Sequence, residues 1–179
     1  MKKSVLAVIC FTLMGIAPFT HAALPAYMTL EGDISGNIPG SVTDPPWEGM
    51  IEVVEYGHAM TLPFDSATGL PTGKLTHRPI RVTKNIDKAS PVLAGVMDQK
   101  APLTNVTIRF YHPNSSGATV HLYTIELTNA LITSISQHIG STDELISIPP
   151  RETLTFYYET ITWTWEPDDI DASADWPTP

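Results

Sequence analysis

The stretch 151–165 constrains the fold of this chain more than any other, because its residues favour one long β-strand. It reads Arg-Glu-Thr-Leu-Thr-Phe-Tyr-Tyr-Glu-Thr-Ile-Thr-Trp-Thr-Trp. Nearly every residue is β-branched or aromatic, and large and small side chains alternate. The apolar residues change parity along the stretch: Leu154, Phe156 and Tyr158 precede the change, and Ile161, Trp163 and Trp165 follow it. This predicts a β-bulge near Glu159–Thr160, the kind of irregularity that lets a sheet curl into a barrel.

Other short alternating segments, bounded by turn residues, predict further strands. They lie at 25–31, 50–60, 75–86, 106–110, 123–127 and 131–135, with Asn129 as a turn residue between the last two. One helix is predicted over residues 91–100, because Ser90 is a typical N-cap, Pro91 suits the first helical position and Pro102 ends the segment. About seven strands and one helix predict a β-barrel or β-sandwich with a helix packed on one side.

Proline- and glycine-rich segments at 32–47 and 63–73 predict two long loops. Residues 167–179 contain four aspartates and predict an exposed acidic tail. Because the chain has 179 residues and no internal repeat, a single domain over residues 23–166 is expected.

Residues 1–22 have the pattern of a secretory signal peptide. A basic pair, Lys2-Lys3, precedes an uncharged apolar run, and small residues suit cleavage between Ala22 and Ala23. The run is too short to span a membrane as an anchor, so export of the mature chain is expected, with no membrane insertion.

Cleavage would remove Cys10, the single cysteine, so the mature chain would have no disulfide, thiolate metal site or cysteine nucleophile. It would keep 8 basic and 19 acidic side chains, and 8 − 19 gives a net charge of −11. Such an acidic protein repels phosphate, so binding to nucleic acid is not expected.

No motif in the sequence predicts catalysis, a cofactor or a metal. The five histidines of the mature chain, His58, His77, His112, His121 and His138, do not have the spacing of metal ligands. His58 and His121 lie in predicted strands and are expected to be hydrogen-bonded structural residues. The acidic group Asp168-Asp169-x-Asp171 lacks the glycine and distal glutamate of a calcium loop. We therefore expect a protein that is not an enzyme.

Motifs in order along about 150 residues resemble the haemolysin-coregulated protein (Hcp) family. They are Pro25-Ala26-Tyr27, the segment 47–53, Tyr56-Gly57-His58, His77-Arg78-Pro79, the group Lys84, Asp87, Ser90-Pro91 and Leu93, the stretch 152–164, and Asp175-Trp176. The resemblance implies a barrel of two curled antiparallel sheets with one short α-helix alongside. It also implies a structural role as a tube subunit of the type VI secretion system. Six subunits would form a ring, rings would stack, and a spike protein and small effectors would be partners.

The chain departs from the resemblance at its N-terminus, because members of the family ordinarily lack a secretory signal. Either the chain is an exported relative that acts in the periplasm or outside the cell, or translation starts at Met14. Initiation at Met14 would remove Lys2-Lys3 and half of the apolar run, giving a protein that is cytoplasmic before secretion.

Two functional hypotheses remain at this point. In the first, the chain assembles with itself, and Thr162, Trp163 and Trp165 are candidate subunit-interface residues because they lie in the terminal strand. In the second, an exported monomeric β-sandwich binds carbohydrate or protein through an exposed aromatic patch containing Trp47 or Trp176.

Overall fold

The computed structural model describes residues 25–140 and 149–177. The predicted signal segment and cleavage site at Ala22–Ala23 lie outside these residues. In chain order the elements are β1 (Ala26–Gly32), β2 (Gly36–Ile38), β3 (Ile51–Gly57), β4 (Met60–Thr61), β5 (Thr76–His77), β6 (Ile80–Asn85), α1 (Ser90–Asp98), β7 (Leu103–Pro113), β8 (Thr119–His138), β9 (Arg151–Tyr157), β10 (Thr160–Trp165), a 3-10 turn (Glu166–Asp168) and β11 (Ile170–Asp175).

Six strands close into a barrel. They follow the order β8-β7-β1-β3-β6-β9, and β9 pairs again with β8 to complete the circle. All these pairings are antiparallel. β10 and β11 extend the sheet from the first half of β8, and β4 pairs with β5 in a separate small sheet. The predicted barrel of two curled antiparallel sheets with one α-helix is confirmed.

The terminal stretch 151–165 runs beside β8 in two parts. β10 pairs with residues 123–128 of β8, and β9 pairs with residues 131–138. Both partners bend at the same level, since Asn129 has a positive φ of 49° and the strand at 151–165 is interrupted at Tyr158 and Glu159. Asn129 Nδ2 donates to Glu159 Oε2 at 2.6 Å across the bend. The irregularity predicted near Glu159 as a β-bulge is a break between β9 and β10, and the predicted turn at Asn129 is a bend within one strand.

The core lies between the two curled sheets. Met28, Ile108 and Leu127 come from one sheet, and Val82 and Leu154 come from the other; all five are fully buried. Alternation explains this, because successive strand residues point to opposite faces and every second side chain enters the barrel. Burial of each such side chain contributes about 1.5–3 kcal/mol.

The helix α1 packs against β8, but its start differs from the prediction. Ala89 takes the N-cap position without a side-chain cap, and Pro91 lies in the first turn as expected. Ser90 is not the cap, because its hydroxyl accepts hydrogen bonds from the Asp87 backbone N–H at 3.0 Å and from Lys84 Nζ at 3.2 Å. The Ser90 hydroxyl is therefore bonded to the Asp87 backbone and to the side chains of Lys84 and Glu152, and does not cap the helix.

The C-terminal segment is not a free tail. Residues 170–175 form β11, which pairs with β10 over its whole length. The Trp176 backbone N–H then donates to the Glu159 carbonyl at 2.7 Å. The expected exposure is present, since most side chains of β11 are exposed, but the expected tail is wrong for these residues. No helix in the described ranges is long and apolar enough to cross a membrane.

Candidate assembly interface

The three candidate interface residues lie on two different faces of β10. Thr162 points outward, opposite Glu126 of β8 and Ser173 of β11. Trp163 has the opposite parity and packs against the core, where its ring stacks on that of His58 with centroids 6.1 Å apart. Trp165 is 39% exposed, and its Nε1 donates to Asp168 Oδ2 at 3.2 Å. The structure therefore does not bring the three together on one surface.

Thr162 belongs to a polar outer face that we call the β10 face. It consists of three cross-strand rows: Tyr27, Arg109, Thr124, Thr164 and Asp171; Thr29, Thr107, Glu126, Thr162 and Ser173; Glu31, Asn105, Thr128, Thr160 and Asp175. A shallow groove of about 510 Å³ crosses it, lined by Glu31, Arg109 and Glu126 among others. Threonine dominates the face, as suits a strand surface that is polar on its outer side.

The second sheet presents another polar outer face, which we call the β9 face. Its rows are Gly57, Arg81, Thr155 and Ser134; Glu55, Thr83, Thr153 and Ser136; Asn85, Arg151 and His138. Arg78 lies at its rim, where it lines a depression of about 390 Å³ together with Arg81 and His58.

The segment between β4 and β5 projects as an arm that carries large apolar side chains. Met60, Leu62, Phe64, Leu70 and Leu75 are all exposed, Phe64 by 66% and Leu70 by 65%. A bridge between Phe64 and Pro71 holds the two sides of the arm together. The sequence prediction of a loop at 63–73 did not identify these side chains as a surface. The signal was present, because Phe64 and Leu70 lie inside the predicted loop, and Met60, Leu62 and Leu75 flank it.

Two histidines share the hydroxyl of Tyr158 at the base of the arm. His58 Nε2 lies 2.8 Å from Tyr158 Oη, and His77 Nδ1 lies 3.0 Å from the same oxygen. Tyr158 and His77 are buried, and His77 Nε2 has no hydrogen-bond partner among the described residues. A buried N–H without an acceptor is rare and costly. We therefore assign the His77 proton to Nδ1, which donates to Tyr158, while the Tyr158 hydroxyl donates to His58.

Burial, followed by the nearby His77, lowers the pKa of His58 below its ordinary value. Burial also raises the pKa of Tyr158. Both directions favour neutral side chains, as the shared hydrogen bonds require. His58 and His121 are hydrogen-bonded structural residues, as predicted, since His121 Nε2 lies 2.9 Å from Thr124 Oγ1.

The two tryptophans proposed for an exposed aromatic patch pack against their own chain. Trp47 stacks on Tyr27 with ring centroids 4.8 Å apart, and it meets Tyr111 edge-on. Trp176 contacts Tyr157 and Tyr158 with centroids 4.7 and 5.1 Å apart. These rings complete the packing of the barrel and do not form a free platform for a ligand.

A buried ion pair ties the helix to the barrel. Lys84 Nζ lies 2.9 Å from Glu152 Oε1, and both side chains are almost fully buried. Ser90 donates to Glu152 at 2.8 Å, and Gln137 donates to its other oxygen at 2.8 Å. Burial opposes ionisation of Glu152, but these hydrogen bonds and the Lys84 charge outweigh it, so the pKa of Glu152 lies below its ordinary value. Sequence reasoning missed the pair, because its members lie far apart in the chain.

Within residues 25–140 and 149–177, no three or more His, Cys, Asp or Glu side chains are placed to hold a metal ion. The acidic group at Asp168, Asp169 and Asp171 lies on the surface at the turn into β11. The features that stand out are thus surfaces: two polar faces and an apolar arm.

Comparisons with known proteins agree with this geometry. The sequence profile of the family described as "Type VI secretion system effector, Hcp" matches residues 27–165. The chain is 32% identical to the "Major exported protein" of Pseudomonas aeruginosa PAO1 over 168 residues, which covers 88% of this chain and 98% of the relative.

Two solved structures share the fold. A double mutant of Hcp1 from E. coli EAEC 042 is 30% identical, with a TM-score of 0.76 over 86% of this chain and 99% of that one. The secreted protein Hcp3 from Pseudomonas aeruginosa is 28% identical, with a TM-score of 0.72 over 87% of this chain and 100% of that one. The chain therefore belongs to the Hcp family, the structural tube proteins of the type VI secretion system.

Proposed function

We propose that this chain is a ring-forming tube subunit that assembles as homo-hexamers and stacks them. The observation that carries the proposal is the exposed apolar arm, residues 60–75. Contiguous apolar surface on a soluble protein marks an interaction site. Covering a side chain such as Phe64 or Leu70, each about two-thirds exposed, stabilises a contact by about 1–2 kcal/mol on the usual area scale.

The barrel supports an assembly role in a second way. Its closed circle of six strands leaves few free backbone edges, and β11, the outer edge of the extension, carries Asp171 and Asp175. Charged side chains on an edge discourage unspecific strand pairing. Assembly would therefore proceed through side-chain surfaces, which can specify one geometry.

The mass of the purified protein in solution tests this proposal. Light scattering after size exclusion is expected to give about six subunits, the number that the family resemblance implies. The variant Phe64→Asp is expected to reduce the stacking of rings, because it places a charge in the arm. Ile34→Asp is the matched control, since Ile34 is 71% exposed in the turn between β1 and β2. A clean monomer for the unmodified protein would contradict the proposal.

Export is the second part of the proposal. The relative in Pseudomonas aeruginosa is named a major exported protein, and residues 1–22 have the pattern of a signal peptide. The intact mass of protein recovered outside the cytoplasm distinguishes the two starts. Loss of residues 1–22 supports a cleaved signal, whereas a chain beginning at Met14 supports a protein that is cytoplasmic before secretion. A spike protein and small effectors carried in the ring lumen are the partners that this function implies.

A further inference from the structure

We propose that the cluster of His58, Tyr158 and His77 is a pH-sensitive switch that releases the arm from the barrel when His58 becomes protonated. This inference rests on the proposed function in one respect, since the arm is the surface assigned there to the stacking of rings. It adds the condition under which that surface is held in place. It follows from the binding of both ends of the arm to one buried hydroxyl.

The arm is joined to the barrel at two roots. His58 and Ala59 precede β4, whereas His77 ends β5 and Arg78 follows it. The Arg78 backbone N–H donates to the Ala59 carbonyl at 2.9 Å, which closes the base of the arm. A change at either histidine therefore acts on the point where the arm is attached.

Beyond its base the arm is held together by its own hydrogen bonds. β4 and β5 pair with each other in a sheet that is separate from the barrel. The Thr72 backbone N–H donates to the Pro63 carbonyl at 2.9 Å, and the Asp65 N–H donates to the Leu70 carbonyl at 2.9 Å. The arm can thus move as one unit about its roots, as hinged segments do.

Tyr158 holds both roots through a single hydroxyl. Its Oη lies 2.8 Å from His58 Nε2 and 3.0 Å from His77 Nδ1, and Tyr158 itself is fully buried at the end of β9. With the His77 proton on Nδ1, the Tyr158 hydroxyl donates its one proton to His58. Protonation turns His58 Nε2 into a donor, so the Tyr158 proton loses its acceptor. A buried donor without an acceptor is costly, and release of the arm relieves that cost.

Positive charges around His58 add to this effect. Arg78 and Arg81 line the depression that His58 also lines, and Lys74 lies in the arm just before β5. None of these three cations takes part in an ion pair among the described residues. A charge on His58 is therefore opposed while the arm is held and gains hydration when the arm is released. Burial, followed by His77, lowers the pKa of His58 in the folded protein, so a fall in pH favours release.

The carboxylates near the cluster do not offset this charge. Within residues 25–140 and 149–177, neither His58 nor His77 forms an ion pair. The rings that contact the cluster from β10 and from the C-terminal segment, Trp163 and Trp176, are uncharged. The carboxylates that flank the packed elements are exposed and bound elsewhere: Glu55 to Thr83, Glu159 to Asn129, and Asp175 to Thr160.

Hydrogen–deuterium exchange followed by mass spectrometry measures the release without reference to assembly. The Arg78 amide reports on the base of the arm, and the Thr72 amide reports on the arm itself. Both should be protected at about pH 8, where His58 is neutral. At about pH 5, Arg78 should lose its protection while Thr72 retains it, once rates are corrected for chemical exchange at each pH. The same measurement on Phe64→Asp removes any protection that stacking adds.

Matched variants identify the group that responds. His58→Gln keeps an acceptor for Tyr158 and cannot be protonated, so its Arg78 amide should stay protected at both pH values. Tyr158→Phe removes the hydroxyl and keeps the ring, so its Arg78 amide should exchange freely at both. His112→Gln, in the exposed end of β7, should respond as the unmodified protein does. Amides of β1 and β7 should remain protected throughout, which shows that each variant is folded and that the loss is local.

The outcomes separate this switch from the proposed function. Equal protection of Arg78 at both pH values, or equal loss in His58→Gln and the unmodified protein, would overturn the switch and leave ring formation standing. A monomer that still releases its arm would contradict ring formation alone. Sedimentation of the same samples should show stacks at about pH 8 and single rings at about pH 5, with stacks retained in His58→Gln. Stacks that persist although Arg78 has lost protection would overturn the link between the arm and stacking.

Discussion

At the scale of single residues, Tyr158 is the side chain on which the base of the arm depends. Its one hydroxyl hydrogen-bonds to His58 and His77, which precede β4 and end β5. A tyrosine hydroxyl donates one proton and accepts others, so His58 can accept that proton only while its imidazole is neutral. Protonated His58 would turn from acceptor to donor and leave the Tyr158 proton buried without a partner. The cluster therefore links the arm to solvent pH.

The first prediction concerns this dependence on pH. The pKa of His58 is lower in the folded protein than in the unfolded chain, so the unfolded chain binds the proton first as pH falls. The stabilisation that neutral His58 provides is complete above about pH 6.5, and it is lost as pH falls through the pKa of His58 in the folded protein. Urea unfolding at about pH 8 and about pH 5 should show this fall, and the fall should be smaller in His58→Gln, whose amide oxygen can still accept from Tyr158.

The exposed residue His112 supplies the control for that measurement. His112→Gln, in the hairpin that joins β7 to β8, should retain the full dependence on pH. Equal losses of stability in His58→Gln and in the unmodified protein between the two pH values would contradict the prediction. The loss could then not be assigned to protonation of His58.

Sequence reasoning reached part of this cluster. Its strand pattern indicated that His58 is a structural, hydrogen-bonded residue, and that is confirmed. It did not identify Tyr158 as the partner, because 100 residues separate the two in sequence and 81 separate Tyr158 from His77. Because this hydrogen bond depends on closure of the barrel, no local residue spacing in the sequence predicts it. The strands around its members are predicted by local alternation of apolar and polar residues.

At the scale of elements, the terminal stretch shows both what periodicity predicts and where it fails. The change of parity in 151–165 indicated an irregularity near Glu159, predicted as a bulge, and the structure has there a break between β9 and β10, which pair with two parts of β8. The next segment reads Ile-Asp-Ala-Ser-Ala-Asp, and its alanines and aspartates have low strand propensity. It is a strand because β10 offers a free edge and Trp176 packs on Tyr157 and Tyr158. Tertiary pairing overrides propensity here, and a reading of sequence alone therefore gives a tail.

The second prediction tests whether this segment is part of the folded domain. Trp176→Ala should lower the free energy of unfolding by about 2 kcal/mol, since it removes a large and partly buried aromatic contact. Trp165→Ala is the matched control and should cost less, because Trp165 is 39% exposed. Denaturant unfolding of both variants measures the difference. Equal and small losses would indicate that β11 contributes little to the stability of the barrel.

The third prediction concerns the buried pair that joins α1 to β6 and β9. Glu152→Ala should cost about 3–5 kcal/mol, because it leaves the Lys84 charge buried without its partner. The double variant Lys84→Met, Glu152→Leu should recover much of that loss, since it removes both charges and keeps apolar volume. Thermal and urea unfolding of the single and double variants make the comparison. A double variant no more stable than the single one would show that Asp87 and Ser90, which also bind Lys84, depend on its charge.

At the scale of the whole molecule, net charge opposes the assembly of copies and the apolar arm favours it. A mature chain of net charge −11, from 8 basic and 19 acidic side chains, repels other copies at a distance. A ring of such chains carries several times that charge, so rings repel one another as they stack. The apolar arm is uncharged at its exposed side chains, apart from Asp65 and Lys74, and its burial does not depend on that balance.

These opposing effects predict that salt promotes the stacking of rings. Raising the NaCl concentration from about 0.05 M to about 0.5 M shortens the screening length severalfold. Stacking should strengthen, because repulsion between rings is screened while burial of the arm is retained. Analytical ultracentrifugation should resolve longer stacks at the higher salt concentration. Phe64→Asp should lose the salt-promoted stacks and keep the rings. Shorter stacks at the higher salt concentration would contradict a stacking contact made by the apolar arm.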